Sequence, residues 1–135
     1  MKILILYFLE ERNKKQLEIL KNLEKSVTAN GHTVTICNEK DATNLHFAMF
    51  DYVTVLISAN GGFSTEIPAK MQEILKTHGS LASKKGAALV IKKGFSTNKM
   101  SRKLMWIMEK EGMFIDYFDI IDSPGFALHV GKKLG

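Results

Sequence analysis

A single cysteine, Cys37, leaves this chain without an intrachain disulfide and without a cysteine-based metal cluster. A reducing compartment suits such a chain. Histidine does not fill the gap, because His32, His46, His78 and His129 are scattered with no ligand spacing and no carboxylate completes a set. No metal is expected, and Cys37, which ends an expected strand and lacks an activating base, reads as a buried, inert thiol. Long hydrophobic runs are also missing. The longest, near Ile3 to Leu9, falls far short of the ~20 residues that span a bilayer, and it begins without a cationic region or a small-residue cleavage site. It reads as a strand of a cytoplasmic protein with no membrane segment. Internal repeats and low-complexity linkers are absent, as are blocks of like charge.

What is present is a chain of 135 residues, 45% apolar, which suits one compact domain over residues 1–135. The formal charge is +5, from 19 Lys plus Arg against 14 Asp plus Glu. The surplus falls in pairs, Lys14-Lys15, Lys84-Lys85, Lys92-Lys93 and Lys132-Lys133. A solvated surface explains these first, and an acidic partner, a redox protein or another protein, comes next, ahead of nucleic acid.

The organising stretch is Met1 to Gly31. The run Ile3-Leu4-Ile5-Leu6-Tyr7-Phe8 passes through Leu9-Glu10-Glu11-Arg12-Asn13 into an amphipathic helix, the opening unit of a doubly wound α/β domain. Asn13 with Gln16 resembles a capping box, and Leu17, Ile19, Leu20, Leu23 and Val27 mark an apolar face that ends near Asn30-Gly31. Thr33 to Cys37 reads as a second, edge strand. Asn38 to Phe50 is expected to be loop with short or irregular helix. Asp51 to Ser58 is bounded by a charge and by Asn60-Gly61-Gly62, as a central strand with a long following loop would be. Ile67, Met71, Ile74 and Leu75 have helical spacing, with Pro68 tolerable in the first turn. Ala87 to Ile91 is a fourth strand, and Thr97 or Asn98 is expected to cap a helix with Met100, Leu104, Ile107 and Met108 inside, ending at Gly112. Phe114 to Ile121 is the fifth strand, and a short helix follows around Phe126 to Leu134. Met105 and Met113 join the methionines of that region in the core, with Trp106 at its margin.

Alternating strands and helices imply parallel pairing with right-handed crossovers. The expected fold is an α/β three-layer doubly wound sandwich, a five-stranded parallel sheet of order 2-1-3-4-5. The first and last helices should share one face and the other two the opposite face. The loops Leu9 to Asn13 and Ala59 to Ser64 should border one crevice where strand order reverses, with Gly94 to Ser96 along its far side.

The layout, together with Phe50-Asp51-Tyr52-Val53, Ser58-Ala59-Asn60-Gly61-Gly62-Phe63 and Ile67-Pro68, resembles a short-chain flavodoxin or a related FMN-dependent reductase domain. That resemblance implies FMN as cofactor and a redox-related role, either electron transfer or flavin-dependent reduction. It places flavin contacts on Asn60, Gly61, Gly62 and Phe63 and on Gly94, Phe95 and Ser96, with the two phenylalanines able to stack on a flat ring or simply to close the top of the core. No catalytic residue is assigned.

The family's phosphate loop after the first strand has the form T-x-T-G-x-T, and here Leu9-Glu10-Glu11-Arg12-Asn13-Lys14 stands in its place. Two carboxylates repel a phosphate, no glycine permits close backbone approach, and Arg12, Lys14 and Lys15 are weaker anchors than a nest of amides. The family's electron carriers are usually acidic, so the basic charge here is a further departure. The alternative reading is a flavin-free, non-catalytic domain that binds a protein partner or another ligand at the same crevice. For a phosphoreceiver, Glu10 and Glu11 imitate the acidic pair after the first strand, but Ser58-Ala59 and Asp122-Ser123-Pro124 stand where that class needs an aspartate and a lysine.

Overall fold

The computed structural model describes residues 1–59 and 66–135. Seven residues, Lys2–Phe8, form β1, and Lys14–Ala29 forms α1. β2 (Thr33–Cys37) is followed by two 3-10 turns, Ala42–Asn44 and Phe47–Met49, and then by β3 (Tyr52–Ser58). The chain continues through α2 (Ala69–Thr77), β4 (Lys85–Ile91), α3 (Thr97–Lys110), β5 (Phe114–Ile121) and α4 (Pro124–Gly131). The sheet has five strands in the order β2-β1-β3-β4-β5, and all four pairings are parallel.

Why the strands take these places follows from their side chains. β1, β3 and β4 are covered on both faces, so they are near-continuous apolar runs, and Ile3, Leu4, Ile5 and Leu6 are all fully buried. Burial of each such side chain contributes roughly 1.5–3 kcal/mol. Odd and even positions then separate into two cores. Leu4, Leu6, Val53, Val55, Ala88 and Val90 meet Met71, Ile74 and Leu75 of α2 and Met100, Leu104 and Met108 of α3. Ile3, Ile5, Leu56, Ala87 and Leu89 meet Ile19, Leu23 and Val27 of α1 and Ala127 and Val130 of α4. The helix pairing is therefore the one expected.

Close approach in the sheet centre depends on Gly86. A Cβ at that position would come 2.0 Å from the carbonyl oxygen of Val53 and 2.5 Å from Cε of Met113. β5 is an edge strand, and its register against β4 slips between Gly86, paired with Ile115, and Ala87, paired with Tyr117, so that Asp116 is the extra residue of a bulge.

α1 and α4 lie side by side and are joined by three side-chain to backbone hydrogen bonds. Asn22 Nδ2 donates to Pro124 O (2.8 Å), Ser26 Oγ to Leu128 O (2.6 Å) and Asn30 Nδ2 to Lys132 O (3.4 Å). Each rung advances one turn on both helices and spans 102 residues of chain. Gly131 permits this contact, since a Cβ there would lie 2.5 Å from Cβ of Ser26.

Several local expectations change. Leu17 is 42% exposed and leaves the apolar face, while Gln16 and Ser26 are buried in the helix contacts. α3 begins at Thr97 with Ser96 at the cap position and no side-chain cap bond, because Thr97 Oγ1 instead donates to Lys93 O at 3.2 Å. α4 starts at Pro124, earlier than expected, since Ser123 Oγ accepts from Phe126 N at 3.1 Å and proline suits the first helical position. Among the described residues no helix is long and apolar enough to cross a membrane.

Candidate functional site

At the carboxyl ends of β2, β1 and β3 lies a crevice of about 420 Å3. Its floor is apolar, with Tyr7, Phe8, Leu9 and Leu17, and Ser58 and Pro68 form the wall toward β3 and α2. Its rim is charged, with Glu10, Glu11, Glu39 and Lys40. The position follows from topology, because β1 leads to its helix on one face and β3 to its helix on the other, and the strand ends part between them.

The turn from β1 to α1 is closed on itself. Asn13 caps α1, its Oδ1 accepting from Gln16 N at 3.0 Å. The Gln16 side chain then reaches past Asn13 to accept from the backbone N–H of Glu10 at 2.8 Å. The Asn13 N–H donates to Glu10 O at 3.1 Å, and Asn13 Nδ2 to the Glu10 carboxylate at 3.1 Å. This departs from the capping box anticipated at Asn13 and Gln16, in which Gln16 would return to the Asn13 N–H.

Both carboxylates of the turn have lysine partners from other loops. Lys93, just beyond β4, donates to Glu10, and this bond, followed by that from Asn13, holds the Glu10 carboxyl below its ordinary range. Lys40, just beyond β2, donates to Glu11 at 2.5 Å, which lowers the Glu11 carboxyl and raises the Lys40 ammonium. The Glu10–Lys93 pair thus spans the end of β3 and ties the first loop to the fourth. Both side chains are 45% exposed, so solvent screens the pair.

The residues anticipated as flavin contacts are distributed as follows. Asn60, Gly61, Gly62 and Phe63 lie outside the described residues. Gly94 and Phe95 border a separate cleft of about 230 Å3 with Lys92, Asn98 and Asp122, and Phe95 is 86% exposed. Ser96 is buried, its carbonyl accepting from Met100 N at 3.0 Å. Among the described residues the lining of the crevice comprises the ends of β1, β2 and β3, Leu17 and Pro68, and the Glu10–Lys93 pair is the link from it toward the loop of Gly94, Phe95 and Ser96.

Asn38, Glu39 and Lys40 were not anticipated here. Asn38 Nδ2 donates to Tyr7 OH at 3.4 Å, and Asn38 Oδ1 accepts from Lys40 N at 2.9 Å, which folds the end of β2 against the crevice. The expected order 2-1-3 contains the signal, since it sets the residues after β2 beside those after β1. Cys37 lies just before them, buried, and burial, then Asp41, pushes its thiol up, away from a reactive thiolate. Among the described residues no group of three or more His, Cys, Asp or Glu is placed to hold a metal ion.

The first turn differs in its donors from a glycine-rich phosphate loop. The Glu10 amide is taken by Gln16, the Glu10 carboxylate sits on the turn, and no residue from Leu9 to Lys14 is glycine.

No family model matches the chain, and no curated protein matches it. Solved structures do. The two-electron reduced flavodoxin of Megasphaera elsdenii superposes with a TM-score of 0.75 at 18% identity over 96% of each chain. A flavodoxin from the domain Archaea gives a TM-score of 0.71 at 15% identity, covering 99% of this chain and 93% of that one. The flavodoxin of Fusobacterium nucleatum bound to flavin mononucleotide gives 0.64 at 13% identity, covering 98% of this chain and 93% of that one. With these matches and the strand order β2-β1-β3-β4-β5, the chain has the flavodoxin-like fold.

Proposed function

We propose that this chain is a flavodoxin-fold domain with a redox-related role that does not retain FMN by its phosphate. Any flavin it uses is engaged through the ring and exchanges with solution. The observation that carries this reading is the closed first turn, in which the Glu10 N–H is bound to Gln16 and the Glu10 carboxylate to Lys93. The fold shared with FMN-bound flavodoxin supports the redox assignment, and the exposed ring of Phe95 supports ring contact. One stacked aromatic contributes on the order of 1 kcal/mol beyond area burial, too little to hold a cofactor through purification.

The test is direct. The purified protein should lack flavin absorbance, and fluorescence titrations should give FMN and riboflavin similar, weak affinities. Submicromolar FMN binding with clear preference over riboflavin would overturn the reading. A second reading, a flavin-free domain that binds another ligand or a partner, is favoured by the apolar floor of Tyr7, Phe8 and Leu9, open under a charged rim. It holds if neither flavin binds.

A further inference from the structure

The face of the molecule along β5 and α3 differs from the crevice in charge and composition. α3 buries Met100, Leu104, Ile107 and Met108 and leaves Lys99, Arg102, Lys103, Trp106 and Lys110 exposed in one helical stripe. Trp106 is 61% exposed, and the Lys110 ammonium lies 4.9 Å from its ring centroid. Beside the stripe, a cleft of about 350 Å3 between α3 and β5 is lined by Arg102, Met105, Phe118 and Ile120. Phe118 is 58% exposed. Among the described residues no carboxylate forms an ion pair with Lys99, Arg102 or Lys103.

We propose that this face docks a protein partner through an acidic segment bearing a bulky apolar side chain. The partner's carboxylates meet Lys99, Arg102 and Lys103, and its apolar side chain enters the cleft between Met105 and Phe118, beside Trp106. Charge complementarity selects this occupant. Exposed Trp, Phe and Arg beside a half-buried Met in one patch are the residue types enriched in the cores of protein interfaces, where a few of them carry most of the affinity. A second copy of the chain brings the same cationic stripe and repels it. Addition of a foreign strand to β5 is opposed by the bulge at Asp116 and by Asp119, whose Oδ1 accepts from the Ile120 N–H at 2.8 Å and so occupies an outward-facing donor. A phosphate backbone or an anionic headgroup would bring its charge into the cleft beside Asp119, whereas the acidic segment sets an apolar side chain there and keeps its carboxylates over Lys99, Arg102 and Lys103. The surface lies apart from the crevice, and the proposal does not rest on the flavin reading.

Trp106 is the one tryptophan in the chain and therefore reports on its own surface. The experiment titrates the full chain with a synthetic peptide alternating Glu or Asp with Leu and Phe. Parallel titrations use the same peptide with Lys in place of its acids, oligothymidylate, and phosphatidylglycerol vesicles. The acidic peptide should shift Trp106 emission to the blue and saturate, and Arg102→Glu with Lys103→Glu should weaken binding by about tenfold or more. Phe118→Ser should weaken it as well while leaving the circular dichroism spectrum unchanged, and Lys99→Glu supplies a further variant should either fail to fold. The proposal is overturned by the absence of a saturable shift, by unchanged affinity in the charge-reversal variant, or by tighter binding of the oligonucleotide or vesicles. A concentration-dependent dimer in sedimentation that protects Trp106 also overturns it.

Discussion

Rebuilding a phosphate site in the first turn tests whether that turn is what separates this chain from an FMN-retaining protein. The perturbation is Glu10→Thr, Glu11→Gly and Gln16→Ala together. It removes two carboxylates, supplies one glycine, and frees the backbone N–H at position 10 from the Gln16 side chain that now accepts it at 2.8 Å. It also releases Lys93 from Glu10. The fold then presents two donors at the turn, the amide and the Lys93 ammonium. Hydrogen bonds to a charged acceptor contribute about 1.5–3 kcal/mol each, or roughly 3–6 kcal/mol for the two. Ordering the lysine side chain costs about 2 kcal/mol, which leaves roughly 1–4 kcal/mol net, and about 2 kcal/mol lies in the lower half of that range. Lys40, fully exposed, is left out of the sum because solvent screens it. A gain of about 2 kcal/mol is roughly a 30-fold preference for FMN over riboflavin. Riboflavin has the ring without the phosphate, so its affinity should not change. Loss of the half-exposed Glu10–Lys93 pair should cost the fold no more than about 1 kcal/mol. Paired fluorescence titrations of wild type and variant measure the ratio. A folded variant that prefers FMN by less than about threefold would refute the reasoning, since the phosphate would then be indifferent to the groups removed.

Three further outcomes concern the fold that holds the site. Gly86→Ala sets a methyl against Val53 O, and the overpacking cost of about 3 kcal/mol should lower the melting temperature by roughly 10 °C, whereas Gly125→Ala, with open space around its Cβ, should raise it by a few degrees in the same calorimetric scan. Thr54 Oγ1 is buried with no hydrogen-bond partner among the described residues, so Thr54→Val should stabilise the protein by about 1 kcal/mol in urea unfolding, and a loss of stability would mean the hydroxyl has a partner. Tyr52, whose hydroxyl donates to Asp116, is held neutral by burial first and by Asp116 second, and Tyr117 is raised by burial and Asp119. Their folded pKa values lie above the unfolded value of about 10, so the stabilisation is full below pH ~10 and is lost as pH rises beyond it. Tyr52→Phe should flatten that alkaline fall, and urea midpoints on either side of pH ~10 read it.

The architecture was legible because each central strand carries its apolar run and each helix its stripe. Ile3 to Leu6 and Val53 to Ile57 leave little choice about burial, and their alternation with helices selects the parallel order. Leu17 misled because a leucine at helical spacing looks like core, yet the crevice provides a second apolar surface that it lines. Gln16 misled in the opposite sense: a polar residue is buried because its amide closes the turn. The Glu10–Lys93 pair joins residues 83 apart, and a sequence displays such charges without displaying their partners. Trp106 stands further into solvent than a residue at the core margin, since Met105 and Met108 already complete the packing beneath α3.

The three rungs between α1 and α4 carry a kinetic consequence. Each of these three hydrogen bonds reaches a residue 102 positions further along the chain, so the seam closes a loop that takes in most of the molecule. Closure entropy opposes early formation of such contacts, and folding slows as sequence separation grows. During synthesis, β1, α1, β2 and β3 can leave the ribosome with Ile19, Leu23 and Val27 already set against Ile3, Ile5 and Leu56, but with Asn22, Ser26 and Asn30 lacking their partners. A nascent chain stalled before Pro124 therefore leaves open the Asn22–Ser26–Asn30 side of α1 that α4 later covers.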